Sequence, residues 1–353
     1  MEIGKRPDTI IGRVCVTAQH RHLLDQVLDL FGIKPDYDLD IMQAGQSPTQ
    51  VAASVLARLE PILREEKPDW VLVQGDTTTV AAASLAAFYA GIQVGHVEAG
   101  LRTNNKRQPF PEEINRRIAG LIADLHFAPT ARSRANLLAE GVPDANIEVT
   151  GNTVIDALKW VTQKPMPHGI LPAGLPDADD DTTRLILVTA HRRENFGAPL
   201  DQICLAVRDI ATSYGDQVHL VYPVHPNPNV RGPVYALLSD LSNVTLTPPL
   251  DYLPMVHLLK RATLVLTDSG GLQEEAPGFG KPVLVLRAVT ERPEGVEAGT
   301  ARLVGTDRKR IVEQATRLLN DPLAYAEMAK AVNPYGDGQA AGRIVDALLA
   351  HAA

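Results

Sequence analysis

The fold of this chain is decided by residues 70 to 97, which read WVLVQGDTTTVAAASLAAFYAGIQVGHV. Two short apolar runs, Trp70 to Gln74 and Gln93 to Val97, enclose a longer helix-forming stretch over Thr79 to Tyr89. Gly91 stands where that helix should stop. The order of apolar run, helix and apolar run is typical of a βα unit in a parallel sheet.

The same pattern extends outward in both directions. In the first half we predict further strands at 13–17 and 125–128, with helices at 48–65, 112–123 and 130–140. In the second half we predict strands at 185–189, 218–223, 244–247, 264–267 and 282–286, and final helices at 308–320, 323–332 and 339–351. A chain of 353 residues exceeds the size of one growing core. The sequence therefore predicts two α/β domains with parallel sheets, joined by a Pro-, Gly- and Asp-rich linker at 163–183.

Composition narrows the class of protein. A net charge of -8 argues against a nucleic-acid surface, and no apolar run approaches the roughly 20 residues of a membrane helix. The first ten residues lack the apolar stretch of a secretory signal, so we expect a cytoplasmic chain. Cys15 and Cys204 stand far apart in apolar segments, which favours buried thiols over a disulfide or a thiolate metal site. We expect a small-molecule partner.

Carboxylates follow two neighbouring strands of the first domain. Asp76 comes after the first apolar run and Glu98 after the second. Because ligands bind beyond the carboxyl ends of parallel strands, both side chains are expected to face one crevice. A helix cap is an equal alternative for Asp76. Glu98 is not at a helix start, which favours a functional role over a solvated loop charge.

The segment PFPEEINR at 109–116 opens a helix. Its Glu112 and Arg116 are four residues apart and so lie together, away from the apolar stripe of Ile114, Ile118, Leu121, Ile122 and Leu125. A solvated ion pair is the commoner meaning of this spacing. The prolines that fix the helix entry favour the alternative, a pair that faces the crevice.

Two polar clusters follow strands of the second domain. His191, Arg192 and Arg193 gather at one strand end, which suits an anion, with a surface charge run as the alternative. Ser269, Gly270 and Gly271 lead from another strand into a helix. Glycines let backbone N–H groups approach a phosphate, and a following glutamate suits the hydroxyls of a ribose. No Walker loop, Gly-x-Gly-x-x-Gly after a strand, or metal-ligand spacing occurs.

Seven motifs in order resemble the bacterial non-hydrolysing UDP-N-acetylglucosamine 2-epimerase family. They are VQGDTTT at 73–79, GHVEAGLRT at 95–103, PEEINR at 111–116, TGNTVID at 150–156, HRREN at 191–195, DSGGLQEE at 268–275 and NPYGDG at 333–338. The resemblance covers the chain from about Val14 onward. It implies a GT-B fold of two Rossmann-like domains with an interdomain cleft, a homodimer, and no nicotinamide or metal cofactor. It also implies domains at 1–164 and 165–337, with a final helix at 338–353 that returns to the first domain.

The resemblance also assigns site residues. It implies a catalytic centre of Asp76, Glu98, Glu112, Arg116 and His191. It places UDP on Arg6, Ser269, Gly270, Gly271 and Glu275. It further implies activation by a second substrate molecule at Gln43, Gln46, Arg192 and His225. One segment departs from the family: GKRPD at 4–8 looks like a degraded copy of the opening motif, and the first strand and most of the first helix are expected to be missing.

The activity implied is reversible epimerisation at C2 of UDP-N-acetylglucosamine to UDP-N-acetylmannosamine, which supplies N-acetylmannosamine for surface polysaccharide. The C2 hydrogen is not next to a carbonyl, so we expect elimination and re-addition of UDP through 2-acetamidoglucal. Asp76, Glu98 and Glu112 are the acid and base candidates. The alternatives are a hydrolysing epimerase, a GT-B glycosyltransferase, and a catalytically impaired protein that only binds the nucleotide sugar.

Overall fold

The computed structural model describes residues 2–18, 21–43, 45–167, 169–177 and 182–351. The chain divides into two compact units, Met1–Asp156 with Tyr335–Ala353, and Ala157–Pro334. The first change of unit falls inside a helix, before the Pro- and Gly-rich stretch expected to be the linker. Of that stretch, His168 and residues 178–181 lie outside the described residues.

The first unit is built on parallel strands. Its two sheets have the orders β1-β2 and β3-β4-β5-β6. The strands are β1 Cys15–Val16, β2 Tyr37–Asp38, β3 Trp70–Gln74, β4 Gln93–Val97, β5 Leu125–Ala128 and β6 Ile147–Val149. The helices that begin in it are α1 Arg21–Phe31, α2 Pro48–Glu66, α3 Thr78–Tyr89, α4 Glu112–Ile122, α5 Ala131–Ala139, α6 Thr153–Val161 and, at the end of the chain, α14 Ala340–His351.

Local chemistry explains where these elements begin. Ser47 and Gln50 form a capping box at the start of α2, with Pro48 at its first position. Every residue of β5 is buried, as expected of a strand inside a parallel sheet. Helix α14 packs its Ile344 and Leu348 into a cluster with Val97, Leu125 and Phe127. The end of the chain is therefore part of the core of the first unit.

The opening strand is shorter than the sequence predicted. The expected strand at 13–17 is reduced to β1, and among the described residues β1 pairs only with β2. The first unit therefore has its strands in two separate sheets. Leu72, an apolar residue of the edge strand β3, is 39% exposed.

The second unit holds one six-stranded parallel sheet of order β12-β11-β10-β7-β8-β9. Its strands are β7 Arg184–Thr189, β8 Val218–Pro223, β9 Val244–Thr247, β10 Leu264–Thr267, β11 Val283–Val285 and β12 Ala301–Leu303. Its helices are α7 Ala198–Tyr214, α8 Pro228–Leu238, α9 Tyr252–Arg261, α10 Gly270–Glu275, α11 Pro293–Glu297, α12 Arg308–Asn320 and α13 Pro322–Ala329.

The order of strands fixes the position of the site in this unit. From β7 the chain proceeds to β8 and β9 on one side, and then crosses to β10, which lies on the other side of β7. The carboxyl ends of β7 and β10 therefore flank the point where the winding reverses, the usual ligand position of such sheets. The α/β class with parallel sheets is confirmed. No helix in the described part of the chain has the length and hydropathy needed to cross a membrane.

Candidate active site

Asp76 is not a helix cap. The cap of α3 is Thr77, whose side chain accepts a hydrogen bond from Val80 N. The Asp76 carboxylate instead accepts a hydrogen bond from Nη2 of Arg116. It lies at the carboxyl end of β3, where the parallel sheet predicts a ligand site.

Arg116 is buried between two carboxylates. It is 4% exposed, and its Nη1 donates to Oε2 of Glu113 at 3.2 Å. Glu113 is fully buried and also accepts bonds from the backbone N–H groups of Thr103 and Asn104 and from Arg117. The predicted solvated ion pair of Glu112 with Arg116 is therefore wrong, and the partners of Arg116 are Asp76 and Glu113 instead. Glu113, to which the sequence pattern assigns no role, anchors both the guanidinium and the loop after β4.

Helix α4 turns its polar side inward. Its buried residues are Glu113, Asn115, Arg116 and Ala119. Ile114, Ile118 and Leu121 of the predicted apolar stripe are 39%, 38% and 88% exposed. The other two residues of the predicted stripe are packed: Ile122 lies against the core cluster, and Leu125 is buried in β5. The stripe is therefore exposed only over Ile114, Ile118 and Leu121, while Arg116 and Glu113 are buried.

Glu98 and Glu112 both show features of a functional site. Glu98 has a φ of +64°, a left-handed conformation that costs a non-glycine residue of order 1 kcal/mol. Such conformations cluster at active sites. Oε2 of Glu112, in the first turn of α4, is buried and has no hydrogen-bond partner among the residues that the structure describes. A buried polar atom without a partner is uncommon in native proteins, and a catalytic role is one explanation for it.

His96 supports the turn that carries Asp76. Its Nε2 donates to the carbonyl oxygen of Gly75 at 2.8 Å, while its Nδ1 meets no hydrogen-bond partner in the described ranges. Burial lowers its pKa to about 4, so the imidazole is neutral near pH 7. Gly75 also donates its N–H to Val97 O and has a φ of +79°. The sequence offered one signal for this role, a histidine inside an apolar strand two residues before Glu98.

His191 lies at the reversal point of the second sheet. Its backbone N–H donates to Oδ2 of Asp268 at 2.8 Å, and its ring stacks on His225 with centroids 5.5 Å apart. Burial lowers the pKa of His191; Asp268 opposes this effect, whereas His225 and Arg192 add to it. The imidazole is 43% exposed, so it remains able to reach a ligand.

The nucleotide residues predicted for the second unit surround the start of α10. Ser269 is the residue before the helix, and Gly270 and Gly271 begin it. A Cβ on Gly270 would lie 2.5 Å from Nη1 of Arg292, whereas one on Gly271 would meet nothing closer than 4.0 Å. The backbone of Gly271 is therefore open to a ligand.

Of the two glutamates in α10, Glu274 forms an ion pair with Arg292. Glu275 has Tyr252 as a hydrogen-bond donor at 3.5 Å. Burial and the charge of Glu274 raise the pKa of Glu275 to about 7. Because Glu274 is engaged by Arg292, Glu275 is the glutamate of α10 that stays a candidate for the predicted ribose contact.

The remaining predicted contacts are spread over both units. Arg6 donates to Asp346 of α14 at 2.5 Å. Gln46 folds back onto its own loop, where its Nε2 donates to Ile41 O and its Oε1 accepts from Gln43 N. The other two predicted activator residues, Arg192 and His225, belong to the second unit. Their roles stay predictions.

Comparison with known proteins decides the family. The model of the UDP-N-acetylglucosamine 2-epimerase family matches residues 3–349. This chain belongs to that family. It is 58% identical over 340 residues to UDP-N-acetylglucosamine 2-epimerase of Escherichia coli K12, covering 95% of this chain and 90% of the relative. It is 55% identical over 347 residues to the Yersinia pestis enzyme, covering 98% and 92%.

A solved structure of the epimerase family supports the fold. The crystal structure of UDP-GlcNAc 2-epimerase from Neisseria meningitidis bound to UDP-GlcNAc superimposes with a TM-score of 0.91 at 49% identity, covering 99% of this chain and 95% of that one. The family resemblance and the GT-B-type fold predicted from the sequence are confirmed. The roles given to individual residues stay predictions.

Proposed function

We propose that this chain interconverts UDP-N-acetylglucosamine and UDP-N-acetylmannosamine. The observation that carries the proposal is full-length similarity, at 49% identity, to an epimerase crystallised with UDP-GlcNAc. The carboxylates and cations found at the strand ends of both units fit the chemistry that this reaction requires.

In the proposed mechanism a carboxylate removes the proton from C2 of the sugar. The C2–H electron pair forms the C1–C2 double bond, and the C1–O bond breaks with its electrons going to UDP. The products of this step are 2-acetamidoglucal and UDP. UDP then returns to C1 while C2 is protonated on the opposite face. Proton donor and acceptor must therefore lie on two sides of the sugar ring.

Asp76, Glu98 and Glu112 supply the acid and base. Oε2 of Glu112 has no hydrogen-bond partner among the described residues, so a substrate group can contact it without displacing one. Asp76 forms an ion pair with Arg116. His191, with the open backbone of Gly271 at the start of α10, stabilises the charge that develops on the departing diphosphate.

The intermediate gives the direct test of this route. Reaction mixtures quenched during turnover of UDP-N-acetylglucosamine should contain 2-acetamidoglucal and free UDP at low levels, together with UDP-N-acetylmannosamine. Release of free N-acetylmannosamine as the main product would instead identify a hydrolysing epimerase. Binding of the substrate without any product would identify a nucleotide-sugar-binding protein.

We also propose that two copies associate through the exposed face of α4. Ile114, Ile118 and Leu121 recur at helical spacing on one side of α4 and remain exposed. Phe88 and Tyr89, at the end of the neighbouring helix α3, are 62% and 72% exposed. An apolar surface of this kind is typical of an interface. A second copy is the occupant that fits the homodimer implied by the family resemblance.

Leu121→Glu should convert the dimer to a monomer in sedimentation velocity runs over a range of protein concentrations. Leu323→Glu is the matched control, because Leu323 is 82% exposed on α13 of the other unit. A dimer that persists in Leu121→Glu, or a wild-type monomer at all concentrations, would contradict this interface.

The product has a proposed use. We place the reaction in the cytoplasm, where UDP-N-acetylmannosamine supplies N-acetylmannosamine units to surface polysaccharide. Loss of the gene in its host should lower the N-acetylmannosamine content of that polysaccharide, and an unchanged content would exclude this use.

A further inference from the structure

The loops after β7 and β10 meet at one buried carboxylate. Asp268 is fully buried, and its Oδ2 accepts hydrogen bonds from the backbone N–H groups of His191 and Arg192, both at 2.8 Å. Asn195 Nδ2 donates to the same oxygen at 2.9 Å. Three donors on one oxygen fix the path of the loop that carries His191.

The second oxygen of Asp268 is not used in this way. Oδ1 is buried, has no hydrogen-bond partner within the described part of the chain, and lies 4.0 Å from Nδ1 of His191. An approach of about 1 Å would bring the two atoms within hydrogen-bonding distance. A desolvated acceptor beside an imidazole favours a protonated Nδ1.

Asp268 also connects His191 to the predicted nucleotide site. Its carbonyl oxygen accepts from Nε of Arg192 at 3.0 Å, and the next residue, Ser269, precedes α10. A displacement of Asp268 would therefore move the histidine loop and the start of α10 together. Among the described residues, the titratable and charged groups that act on His191 are Asp268, His225 and Arg192, of which Asp268 is the acidic one.

We propose that Asp268 is a positioning residue that aims His191 and, through Oδ1, favours its imidazolium form as negative charge develops on the departing diphosphate. This inference rests on the proposed function and deepens it, because it assigns the charge of His191 to a residue that does not touch the substrate. The proton remains on the imidazole, and no bond to Asp268 is made or broken.

The substitution Asp268→Asn removes the negative charge of this side chain and keeps its shape, so it tests the effect of the charge on His191. Histidine-labelled protein is titrated by NMR without substrate, and His191→Gln identifies the His191 signal. We expect the imidazole pKa to fall by at least about one unit in Asp268→Asn, because an opposite charge within about 4–6 Å shifts a pKa by about this amount. The acidic limb of the kcat/KM profile should move in the same direction. An unchanged His191 titration would overturn the inference.

Asn195→Ala is the matched control. It removes one donor to Oδ2 and loosens the same loop, but it leaves the Asp268 charge in place. We expect its His191 titration to stay within a few tenths of a unit of wild type, even where kcat falls. A shift in Asn195→Ala equal to that in Asp268→Asn would show a purely structural role and overturn the inference.

A second measurement covers the case in which Asp268→Asn does not fold. In ¹⁵N-histidine-labelled wild-type protein with UDP added, Nδ1 of His191 should carry a hydrogen-bonded proton, and an unprotonated Nδ1 would overturn the inference. Wild-type turnover is assayed separately. A chain that shows the titration shift but does not epimerise the nucleotide sugar would contradict the proposed function and leave the role of Asp268 intact.

Discussion

Arg116 of α4 donates a hydrogen bond to the carboxylate of Asp76 at the end of β3, although the two residues are 40 positions apart. The same guanidinium also contacts Glu113, which is fully buried. This arrangement makes α4 bury charge and expose its apolar stripe. The energetic consequences of such a buried ion pair differ from those of a surface pair, because removal of one partner leaves the other uncompensated.

Glu113→Gln should destabilise the protein. The amide keeps the size of the side chain but removes the charge that faces Arg116 and Arg117. Its NH₂ group would face N–H donors, to which it cannot form a hydrogen bond. We expect a loss of about 2–3 kcal/mol, seen as a lower Tm in calorimetry. Glu65→Gln, at an exposed position of α2, is the control and should leave Tm unchanged. Equal Tm values for both variants would contradict the anchoring role of Glu113.

Substitutions of Glu98 should lower the activity without lowering the stability of the protein. Glu98→Gly relieves the left-handed backbone and Glu98→Gln keeps it, so we expect the glycine variant to be no less stable than wild type. Both should lose at least about a hundredfold in kcat if the carboxylate acts as acid or base. Thermal unfolding and initial rates provide the two readouts. Near-normal turnover in either variant would exclude Glu98 from the chemistry.

Adjacent glycines at the start of α10 give a matched pair. Gly270→Ala would place a methyl group 2.5 Å from Arg292 and should cost about 1–3 kcal/mol of stability by displacing the partner of Glu274. Gly271→Ala has room and should fold like wild type. If the backbone of Gly271 approaches the diphosphate, this variant should nevertheless weaken UDP binding by about tenfold or more in calorimetric titrations. Unchanged UDP affinity in Gly271→Ala would place the diphosphate elsewhere.

The pKa of Glu275, raised to about 7, predicts pH dependence near neutrality. Ribose hydroxyls donate to the ionised carboxylate, so UDP should bind more tightly as the pH rises from about 6 to 8. UDP itself titrates in this range. Dividing the Kd of wild type by the Kd of Glu275→Gln at each pH cancels the effect of that titration on the affinity. A ratio that does not vary with pH would contradict the role given to Glu275.

Ionisation of Glu275 should also affect the thermal stability of the protein. Because its folded pKa lies above the ordinary value of 4.5, folded Glu275 holds its proton more tightly than the unfolded chain does. Its contribution to stability is present at low pH and should decline as the pH rises from about 4.5 to 7. Wild type should therefore lose more Tm than Glu275→Gln over this range, and parallel Tm curves would contradict the raised pKa.

Apolar runs bounded by turn residues were enough to predict much of the fold. Strands β3, β4, β8, β9 and β10 begin and end where the pattern placed them. The short strands β2, β6 and β12 were not predicted, because two or three residues carry no detectable period. The orientation of α4 could not be predicted either, since periodicity marks a face but does not say what that face contacts.

Several candidate site residues could be predicted from their positions directly after apolar strands. Asp76, Glu98 and His191 follow apolar strands, where parallel sheets place ligands. Asp268 occupies the same kind of position, yet its function as an anchor depends on a strand order in which β10 lies beside β7. The order of strands in a sheet is a property of the folded topology, and the pattern of apolar residues along the sequence does not specify it.

Elimination and re-addition of UDP can be followed in a proton NMR time course of UDP-N-acetylglucosamine with the wild-type protein in deuterated water. We expect UDP-N-acetylmannosamine to appear with deuterium from the solvent at its C2 position. Formation of the product with the original C2 hydrogen retained, or an unchanged substrate spectrum under conditions where UDP binds, would contradict this mechanism.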